Sequence, residues 1–312
     1  MSSSRVVKLR NYVPDTWEEA LEMFLTWKKA QGISSNTISQ YSKEVTRVFN
    51  LGYAIWGSDF KHKVLNYMTM QMNPYTYNLR LNYLSAFFNW CVSEGFIPLN
   101  PLKGLKRRKT QPRIVDLDLN VLKQLLKLPD QSTYVGIRDF AIFLLTLDTG
   151  IRPSEMLSLV EDDFDLAGGQ VRLRPEITKT RVGRILPISP KTVQAIREIL
   201  KIRPKEWRIS PVFCSYEGAK LAVRSWEHRL EYYSKLLGTK IRPYDLRHNF
   251  ALLWVKKGGN VFALQQTMGH ACLSMTKRYV ALTDKDLKEE HTSFSPLNSI
   301  EPNKCRVKGI GK

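Results

Sequence analysis

Apolar residues recur at helical spacing along most of this chain, and this pattern constrains its fold more than any other feature. In residues 14–100 they stand three or four positions apart, and no strand-like alternation interrupts them. Alternating apolar and polar residues occur in two neighbouring segments, 170–174 and 184–188, which predict a β-hairpin. The sequence therefore predicts a mainly α chain with a small β-sheet in its second half.

The length of the chain favours two domains. Its 312 residues exceed one average domain and suffice for two units that each bury a core. Gly95, Pro98 and Pro101 end the first helical region, and the composition changes after residue 113. We expect an N-terminal extension at 1–13, a helical domain at 14–102, a linker at 103–113, an α+β domain at 114–290 and a tail without clear periodicity at 291–312.

The net charge of +19 indicates the class of partner rather than the fold. A cationic surface gathers polyanions and releases their counterions on binding, so nucleic acid is the first candidate. The predicted linker is the densest block, with six basic residues and no acidic one. Such a run is often only a solvated segment, but this one lies between two expected domains, where a linker can clamp a nucleic acid. Its basic residues are Lys103, Lys106, Arg107, Arg108, Lys109 and Arg113.

Nothing in the sequence indicates a metal site, a disulfide framework or a membrane segment. The four cysteines lie far apart without a CxxC pair. The acidic cluster at 162–165 lacks the spacing of a calcium loop, so we predict a turn there. The N-terminus has no apolar core of signal-peptide length, and no run reaches the roughly 18 apolar residues of a membrane span. We therefore expect a soluble protein of the reducing cytoplasm.

Two basic residues of the second half stand where they can act on a phosphate. Arg152 follows a very apolar helix that ends at Gly150, and it precedes Pro153, a natural first residue of the next helix. Its planar guanidinium suits a phosphate, although a salt bridge with Glu155 is the simpler interpretation. Lys179 lies in the turn between the two predicted strands, where a flexible hairpin can bring its ammonium to a departing oxygen. A lysine at a turn is, however, most often only exposed.

Tyr244 and Arg247 stand three residues apart at the start of a predicted helix, which places them on one face. A second guanidinium beside the first would match two non-bridging phosphate oxygens and the charge that grows on them in a transition state. The alternative is a tyrosine packed at the helix start and an arginine paired with Asp245 or Glu231. For these residues alone, both interpretations stay open.

His270 and Tyr279 lie on either side of a predicted chain reversal. Gly269 ends one helix directly before His270, and Ser274 caps the next helix, which carries Tyr279. Taken alone, such a histidine usually makes a local hydrogen bond, and such a tyrosine usually packs in a core or lies on the surface. The type and order of all these residues together carry more information than any one of them.

The second half of the chain resembles the tyrosine recombinase (phage integrase, Xer-like) family. Its segments run in the order TGIRPSEML, TKTRVGRILPI, RPYDLRHNFA and MGHACLSMTKRYVAL, which match the family's Arg, hairpin Lys, His/Lys-x-x-Arg, Leu-Gly-His and Tyr boxes. Residues 75–102 are similar to the last helix of the family's core-binding domain and its terminal Asn-Pro. Each box alone is weak, but the combination is highly specific, and the resemblance covers nearly the whole chain.

The resemblance implies a division of chemical roles. Tyr279 would be the nucleophile that attacks phosphorus to give a 3′-phosphotyrosine and a free 5′-hydroxyl. Arg152 and Arg247 would hold the phosphate, Lys179 would protonate the leaving 5′ oxygen, and His270 would donate a hydrogen bond to the phosphate. Because the phosphotyrosine conserves the bond energy until another 5′-hydroxyl attacks, no cofactor and no metal ion are expected.

The resemblance also implies the architecture and the partners. Residues 14–102 would form a helical core-binding (SAM-like) DNA-binding domain and residues 114–290 an α+β catalytic domain, together a C-shaped clamp around double-stranded DNA. The basic linker would contact the DNA backbone and position the protein without specifying sequence. Four protomers would act on two DNA sites as a homotetramer, and the tail at 291–312 would pack on a neighbouring protomer.

Tyr244 departs from the family pattern, which most often has His and sometimes Lys at this position. A phenol can donate a hydrogen bond to a phosphate oxygen, but it is a poor proton acceptor near neutrality. We predict that Tyr244 supports the transition state by hydrogen bonding and that any role as a base is weak. His248 is no obvious substitute, because a Leu-Arg-His triplet at this place is ordinary for the family.

Two other functions stay open at this stage. A type IB topoisomerase shares the chemistry, but the short helical N-terminal domain and the Gly-His box favour a recombinase. A non-catalytic DNA-binding regulator on the same scaffold is the second alternative, and Tyr244 is the only argument for it. Integration, excision, transposition and dimer resolution are not distinguished by these residues, and neither is the DNA target.

Overall fold

The computed structural model describes residues 12–50, 60–110, 115–280 and 287–300. The chain divides into two compact units, Met1–Gln111 and Pro112–Lys312. The division falls near the end of the basic segment predicted as a linker, whose last basic residue, Arg113, lies outside the described residues.

The first unit is helical in its described part. Its helices α1, α2, α3 and α4 span Trp17–Ala30, Ser35–Phe49, Phe60–Thr69 and Pro74–Ser93. The side chains of Thr16, Ser34 and Asn73 accept hydrogen bonds from backbone N–H groups in the first turns of α1, α2 and α4, as N-cap residues do. Helices α1, α2 and α4 pack together around an aromatic core, in which the rings of Phe24 and Phe87 meet edge to face. Burial of this apolar face is the main stabilising term of the unit.

The second unit is also mainly helical. Its helices are α5 Leu119–Leu125, α6 Tyr134–Thr149, α7 Pro153–Met156, α8 Pro190–Ile202, α9 Val223–Leu237, α10 Pro243–Lys256, α11 Val261–Met268, α12 Ser274–Val280 and α13 Leu287–Phe294. Helix α6 packs against both α8 and α10, which explains why apolar residues occur on several of its faces.

A three-stranded antiparallel sheet in the order β1-β2-β3 completes this unit. Strands β2 and β3 span Gln170–Leu173 and Arg184–Pro187, which confirms the predicted hairpin, and Val171 pairs with Leu186 on its buried face. The prediction of a plain turn at 162–165 was wrong in part: β1 comprises Phe164–Asp165, which pair with β2. The overall prediction of a mainly α chain with a small sheet is confirmed.

Helices α10, α11 and α12 form a small separate core of the second unit. Leu252, Leu264 and Met268 are buried there together with the ring of Tyr279 from α12. This core fixes α12, and with it Tyr279, against the two helices that carry Arg247 and precede His270.

The end of the chain differs from the sequence prediction. We predicted a tail without periodicity from residue 291, but α13 extends to Phe294 and a short 3₁₀ turn follows at Pro296–Ser299. The remaining tail residues, 301–312, lie outside the described part. In the described ranges, no helix has the length and apolar character needed to cross a lipid bilayer.

Candidate active site

Arg152 lies at the junction between α6 and α7. Helix α6 ends at Gly150 in the left-handed conformation, and two residues later Arg152 precedes the first turn of α7. Arg152 is 8% exposed; its Nη1 donates to Oε1 of Glu155 at 2.8 Å and its Nη2 to the carbonyl oxygen of Gly269 at 2.7 Å. The salt bridge weighed from the sequence is therefore present, and it fixes the guanidinium beside the turn that carries His270.

Glu155 is fully buried and joins two arginines. Besides Arg152, it accepts a hydrogen bond at 2.7 Å from Nη2 of Arg184, which comes from β3. Burial opposes ionisation of this carboxyl, but the hydrogen bonds and charges of Arg184 and Arg152 outweigh it and hold the pKa of Glu155 below its ordinary value. The carboxylate of Glu155 thus connects Arg152, at the start of α7, with Arg184 on β3.

Arg247 is buried on α10 and points at the same turn. It donates to the carbonyl oxygen of Gly150, to that of Met268 at 2.8 Å, and to Nε2 of His270 at 3.1 Å. Burial and the nearby charge of Arg152 lower the pKa of Arg247 to about 9. The guanidinium stays charged near neutral pH although its surroundings disfavour that charge. A bound anion would therefore stabilise it.

His270 follows the left-handed Gly269 and is 8% exposed. Its Nε2 faces Arg247, which can only donate, so Nε2 accepts and the ring proton lies on Nδ1, 2.8 Å from Oγ1 of Thr276. Burial and the charges of Arg247 and Arg152 lower the pKa of His270 to about 3. His270 is therefore neutral near neutral pH.

Tyr279 is buried on α12, with 1% of its surface exposed. Its ring is nearly parallel to that of His270, with centroids 6.4 Å apart, and its hydroxyl lies 2.7 Å from Nδ1 of His248 on α10. Burial raises the pKa of Tyr279, while burial and the charges of Arg278 and Arg247 lower the pKa of His248 to about 4. A neutral phenol and a neutral imidazole thus share a short hydrogen bond.

Lys179 and Tyr244, the remaining predicted site residues, lie on the surface. Lys179 is in the β2–β3 turn, as predicted, and Tyr244 is 48% exposed at the start of α10. Within the described ranges, neither side chain has a hydrogen-bond partner. A cavity of about 590 Å³ opens between this turn and the end of α11, and it is lined by Thr180 and His270 among others. The turn of Lys179 therefore flanks the entrance to the buried residues.

The described part of the basic linker lies along α4 in the first unit. Asn78 exchanges two hydrogen bonds of 2.8 Å with the backbone of Arg108, whose guanidinium lies 3.8 Å from the ring centre of Tyr77. Arg107 donates to the side chain of Asn82 at 2.7 Å. These contacts fix the segment while its basic residues, Lys103, Lys106, Arg107, Arg108 and Lys109, stay exposed.

The structure thus gathers four of the predicted residues, Arg152, Arg247, His270 and Tyr279, and adds others that sequence reasoning missed. Arg184 had a signal: it alternates with Leu186 on the buried face of β3, where an arginine is unusual. No sequence signal marks Thr276 or His248, because their hydrogen-bond partners depend on how α10 and α12 pack.

Chemically, the cluster suits a phosphodiester. Two guanidiniums can bind two non-bridging oxygens, and the contacts of Arg152 and Arg247 use only part of the five N–H groups that each guanidinium has. A phenol beside an imidazole supplies a nucleophile and a proton acceptor. A reaction that transfers a phosphoryl group to a hydroxyl requires these groups.

Comparison with known proteins gives a consistent result. Residues 116–286 match the sequence model of the phage integrase family. The chain is 30% identical over 287 residues to a protein named tyrosine recombinase XerC from Thermodesulfovibrio yellowstonii, covering 87% of this chain and 94% of that protein. It is 27% identical over 301 residues to a XerC of Proteus mirabilis, covering 91% and 96%.

Two solved structures share the fold. The Tn1549 transposon integrase in complex with a circular intermediate DNA has a TM-score of 0.71 and 19% identity, covering 88% of this chain and 98% of that one. A lambda integrase tetramer bound to a Holliday junction has a TM-score of 0.66 and 17% identity, covering 85% and 80%.

Proposed function

The chain belongs to the phage integrase family, and on that premise we propose that it is a site-specific DNA recombinase that cuts and rejoins strands through a 3′-phosphotyrosine. One observation carries the proposal: Arg152, Arg247, His270 and Tyr279, which span more than a hundred positions of the sequence, meet in one buried cluster. Such a group of polar residues would be costly to bury for stability alone.

The phosphate would bind between the guanidiniums of Arg152 and Arg247. Its negative charge would offset the burial and the repulsion by Arg152 that lower the pKa of Arg247. The pentacoordinate transition state carries more charge on the non-bridging oxygens than the ground state does, so fixed guanidiniums stabilise it preferentially. Glu155 keeps Arg152 in place before the substrate arrives, so little reorganisation is needed during reaction.

Tyr279 would attack the phosphorus, and the 5′ oxygen of the next nucleotide would leave. Tyr279 is 1% exposed, so the cluster has to open for a strand to reach its hydroxyl, which makes the DNA-free arrangement a withdrawn state. Lys179, from the exposed turn beside the cavity, would protonate the leaving oxygen. Rejoining is the reverse reaction with the 5′-hydroxyl of a different strand.

His270 would donate a hydrogen bond to the phosphate once its proton moves from Nδ1 to Nε2. In the DNA-free chain Nε2 accepts from Arg247, which would turn to the phosphate when DNA binds. The hydroxyl of Thr276 can either accept from Nδ1–H or donate to bare Nδ1, so it supports both tautomers. Tyr244 would add a hydrogen bond from the surface side.

The exposed linker residues would contact the DNA backbone. The helical domain 14–102 and the catalytic domain 114–290 would each bind duplex DNA. The hydrogen bonds of Asn78 and Asn82 fix this segment, so fewer conformations are lost when it binds. Similarity to a lambda integrase tetramer on a Holliday junction supports action as a homotetramer on two sites.

Trapping of the covalent intermediate tests the proposal. Nuclease footprinting of duplexes from the DNA that flanks the gene would locate the bound site, and a nicked suicide substrate of that site would then be incubated with the protein. We expect a protein–DNA adduct that survives denaturing electrophoresis and is absent from Tyr279→Phe.

Three other results of the trapping experiment would each indicate a different function or mechanism. An adduct that persists in Tyr279→Phe assigns the nucleophile elsewhere and contradicts the proposed mechanism. A footprint without any adduct favours the non-catalytic regulator. An adduct accompanied by relaxation of supercoiled plasmid, without strand exchange between two sites, favours the topoisomerase.

A further inference from the structure

We propose that His248 accepts the proton of Tyr279 during strand cleavage, an inference that rests on the cleavage function proposed above. The position that usually carries a histidine in this family is occupied here by Tyr244, which is 48% exposed. The imidazole next to Arg247 on α10 is instead the one that meets the tyrosine hydroxyl. His248 therefore touches the reacting atom itself.

The hydrogen bond has the direction that proton transfer needs. Oη of Tyr279 and Nδ1 of His248 are 2.7 Å apart, which is within the range of a short O–H···N contact. A phenol is the better donor and an imidazole nitrogen the better acceptor, so the hydroxyl donates to Nδ1. In the DNA-free arrangement the proton already lies between the two atoms that would exchange it, and the proposal requires this hydrogen bond to persist when the cluster opens to DNA.

The other imidazole of the cluster is already engaged. Nε2 of His270 accepts from Arg247, and its Nδ1 faces the hydroxyl of Thr276. The rings of His270 and Tyr279 are nearly parallel, so His270 presents its face rather than a ring nitrogen to the tyrosine. In the described part of the chain, His248 is the side chain hydrogen-bonded to the tyrosine hydroxyl.

The charges around His248 make its basicity depend on the substrate. Arg278 and Tyr279 face it from α12, Arg247 and Asp245 from its own helix, and His270 from the turn between α11 and α12. In the DNA-free chain, burial and the two guanidiniums hold the pKa of His248 near 4. A phosphate bound at Arg247 adds negative charge close by, which raises the affinity of the imidazole for a proton at the stage when one is released.

The cleavage step then balances. The bond between Oη of Tyr279 and phosphorus forms as the bond from phosphorus to the 5′ oxygen breaks. The phenol proton moves to Nδ1 of His248, which becomes an imidazolium, and the leaving oxygen takes a proton from the acid on the other side, assigned above to Lys179. In rejoining, the imidazolium returns its proton to the departing tyrosine oxygen.

His248→Asn separates this role from mere positioning. The amide oxygen of asparagine can occupy the place of Nδ1 and accept the hydrogen bond, but it cannot take up the proton. We expect single-turnover adduct formation on the mapped suicide substrate to slow by about a hundredfold or more, the usual range for loss of a general base. His228→Asn, which changes an exposed histidine on α9, is the matched control and should cleave like the wild type.

Two further readouts exclude a structural explanation. A substrate with a bridging 5′ sulfur has a leaving group that needs no acid, so it should not restore the rate of His248→Asn if His248 acts on the tyrosine. In His248→Ala, imidazole added to the buffer should raise the rate of adduct formation, and it should not do so in wild-type protein.

The outcomes are distinct. If the wild type forms the adduct and His248→Asn cleaves at the same rate, the inference is overturned and the proposed function stays intact. Recovery of His248→Asn on the sulfur-bridged substrate also overturns it, because His248 would then serve the leaving group. If the wild type forms no adduct on the mapped site, the proposed function fails and the inference fails with it.

Discussion

Nη2 of Arg247 lies 3.1 Å from Nε2 of His270, so a buried guanidinium donates to a histidine that stays neutral. Burial disfavours an imidazolium in this place and the charges of Arg247 and Arg152 repel it, which is why the pKa of His270 falls to about 3. The histidine therefore contributes hydrogen bonds rather than charge: Arg247 leaves the ring proton on Nδ1, and the hydroxyl of Thr276 accepts it.

Thr276→Val should slow strand cleavage while leaving the fold intact. Valine has nearly the shape of threonine but no hydroxyl, so Nδ1 of His270 loses its partner and the ring its fixed orientation. Loss of such a buried hydrogen bond costs about 1–3 kcal/mol, which we expect to appear as a rate of adduct formation at least about fivefold lower. Thr276→Ser keeps the hydroxyl and should cleave nearly as the wild type; equal rates for both variants would contradict this role.

Gly269→Ala should impair cleavage far more than a glycine substitution elsewhere. Gly269 has a φ of +61°, and an added Cβ would lie 2.9 Å from Nη1 of Arg184 and 3.2 Å from Nη1 of Arg152. Gly238 has a similar φ of +66° with open space around it, so Gly238→Ala measures backbone strain alone.

We expect both glycine variants to lose about 1 kcal/mol of stability in urea unfolding, and only Gly269→Ala to cleave slower, by up to about a hundredfold. The slower cleavage would come from displacement of the Arg152 guanidinium, because Arg152 donates a hydrogen bond to the carbonyl oxygen of Gly269. Equal cleavage by both variants would show that the Arg152 position tolerates this shift.

Glu155→Gln should destabilise the second unit strongly. The carboxylate neutralises Arg152 and Arg184, and the amide would leave two buried guanidiniums uncompensated. Breaking a buried ion pair on one side costs about 3–5 kcal/mol, measurable by urea or thermal unfolding. The exposed pair of Arg208 and Asp162 is the control, since Asp162→Asn should change the unfolding midpoint little. Similar losses in both variants would contradict the special role of Glu155.

The elements that could be predicted from the sequence are those with a repeating pattern. Helix α4 carries buried Leu84, Phe87 and Cys91 at helical spacing, and the β2–β3 hairpin shows alternation with a polar turn. Strand β1 has two residues, too few to show any alternation. It forms because β2 offers a free edge, which is a tertiary effect.

The site was predictable in its chemical types but not in its contacts. Arg152, Arg247 and His270 stand near helix ends and helix starts that the sequence marks with glycine and proline, and Tyr279 lies on the helix that begins at Ser274. The pairing of His248 with Tyr279 depends on the rotation of α12 against α10, which no local pattern specifies. For that reason the sequence indicated only that His248 is ordinary for the family and no obvious substitute, whereas the structure places it at the tyrosine hydroxyl.

Acidification below pH 6.5 should destabilise the second unit through its buried histidines. The pKa values of His270 and His248, about 3 and about 4, lie below the roughly 6.5 of an unfolded histidine. The unfolded chain therefore binds more protons in this window, so the stabilisation is complete above pH 6.5 and is lost as the pH falls toward the folded values.

Each of these histidines should contribute about 1 kcal/mol per pH unit between pH 6.5 and 5, where carboxylates remain ionised. Urea unfolding of wild type and His270→Gln over this range tests the expectation. Glutamine does not titrate, so the variant should lose stability less steeply on acidification even though it is weaker at every pH. Parallel curves would show that His270 is protonated as readily in the folded chain as in the unfolded one.

Tyr244→Phe should slow cleavage without affecting stability. Tyr244 is 48% exposed, so its hydroxyl contributes little to the folded chain, but it lies on α10 one turn before Arg247, which would hold the phosphate. Loss of one hydrogen bond to a phosphate oxygen costs about 1 kcal/mol, or about fivefold in single-turnover adduct formation. Tyr232→Phe removes a hydroxyl of similar exposure on α9 and should leave the rate unchanged. If Tyr244→Phe cleaves as fast as the wild type and Tyr244→His brings no acceleration, the position takes no part in the chemistry.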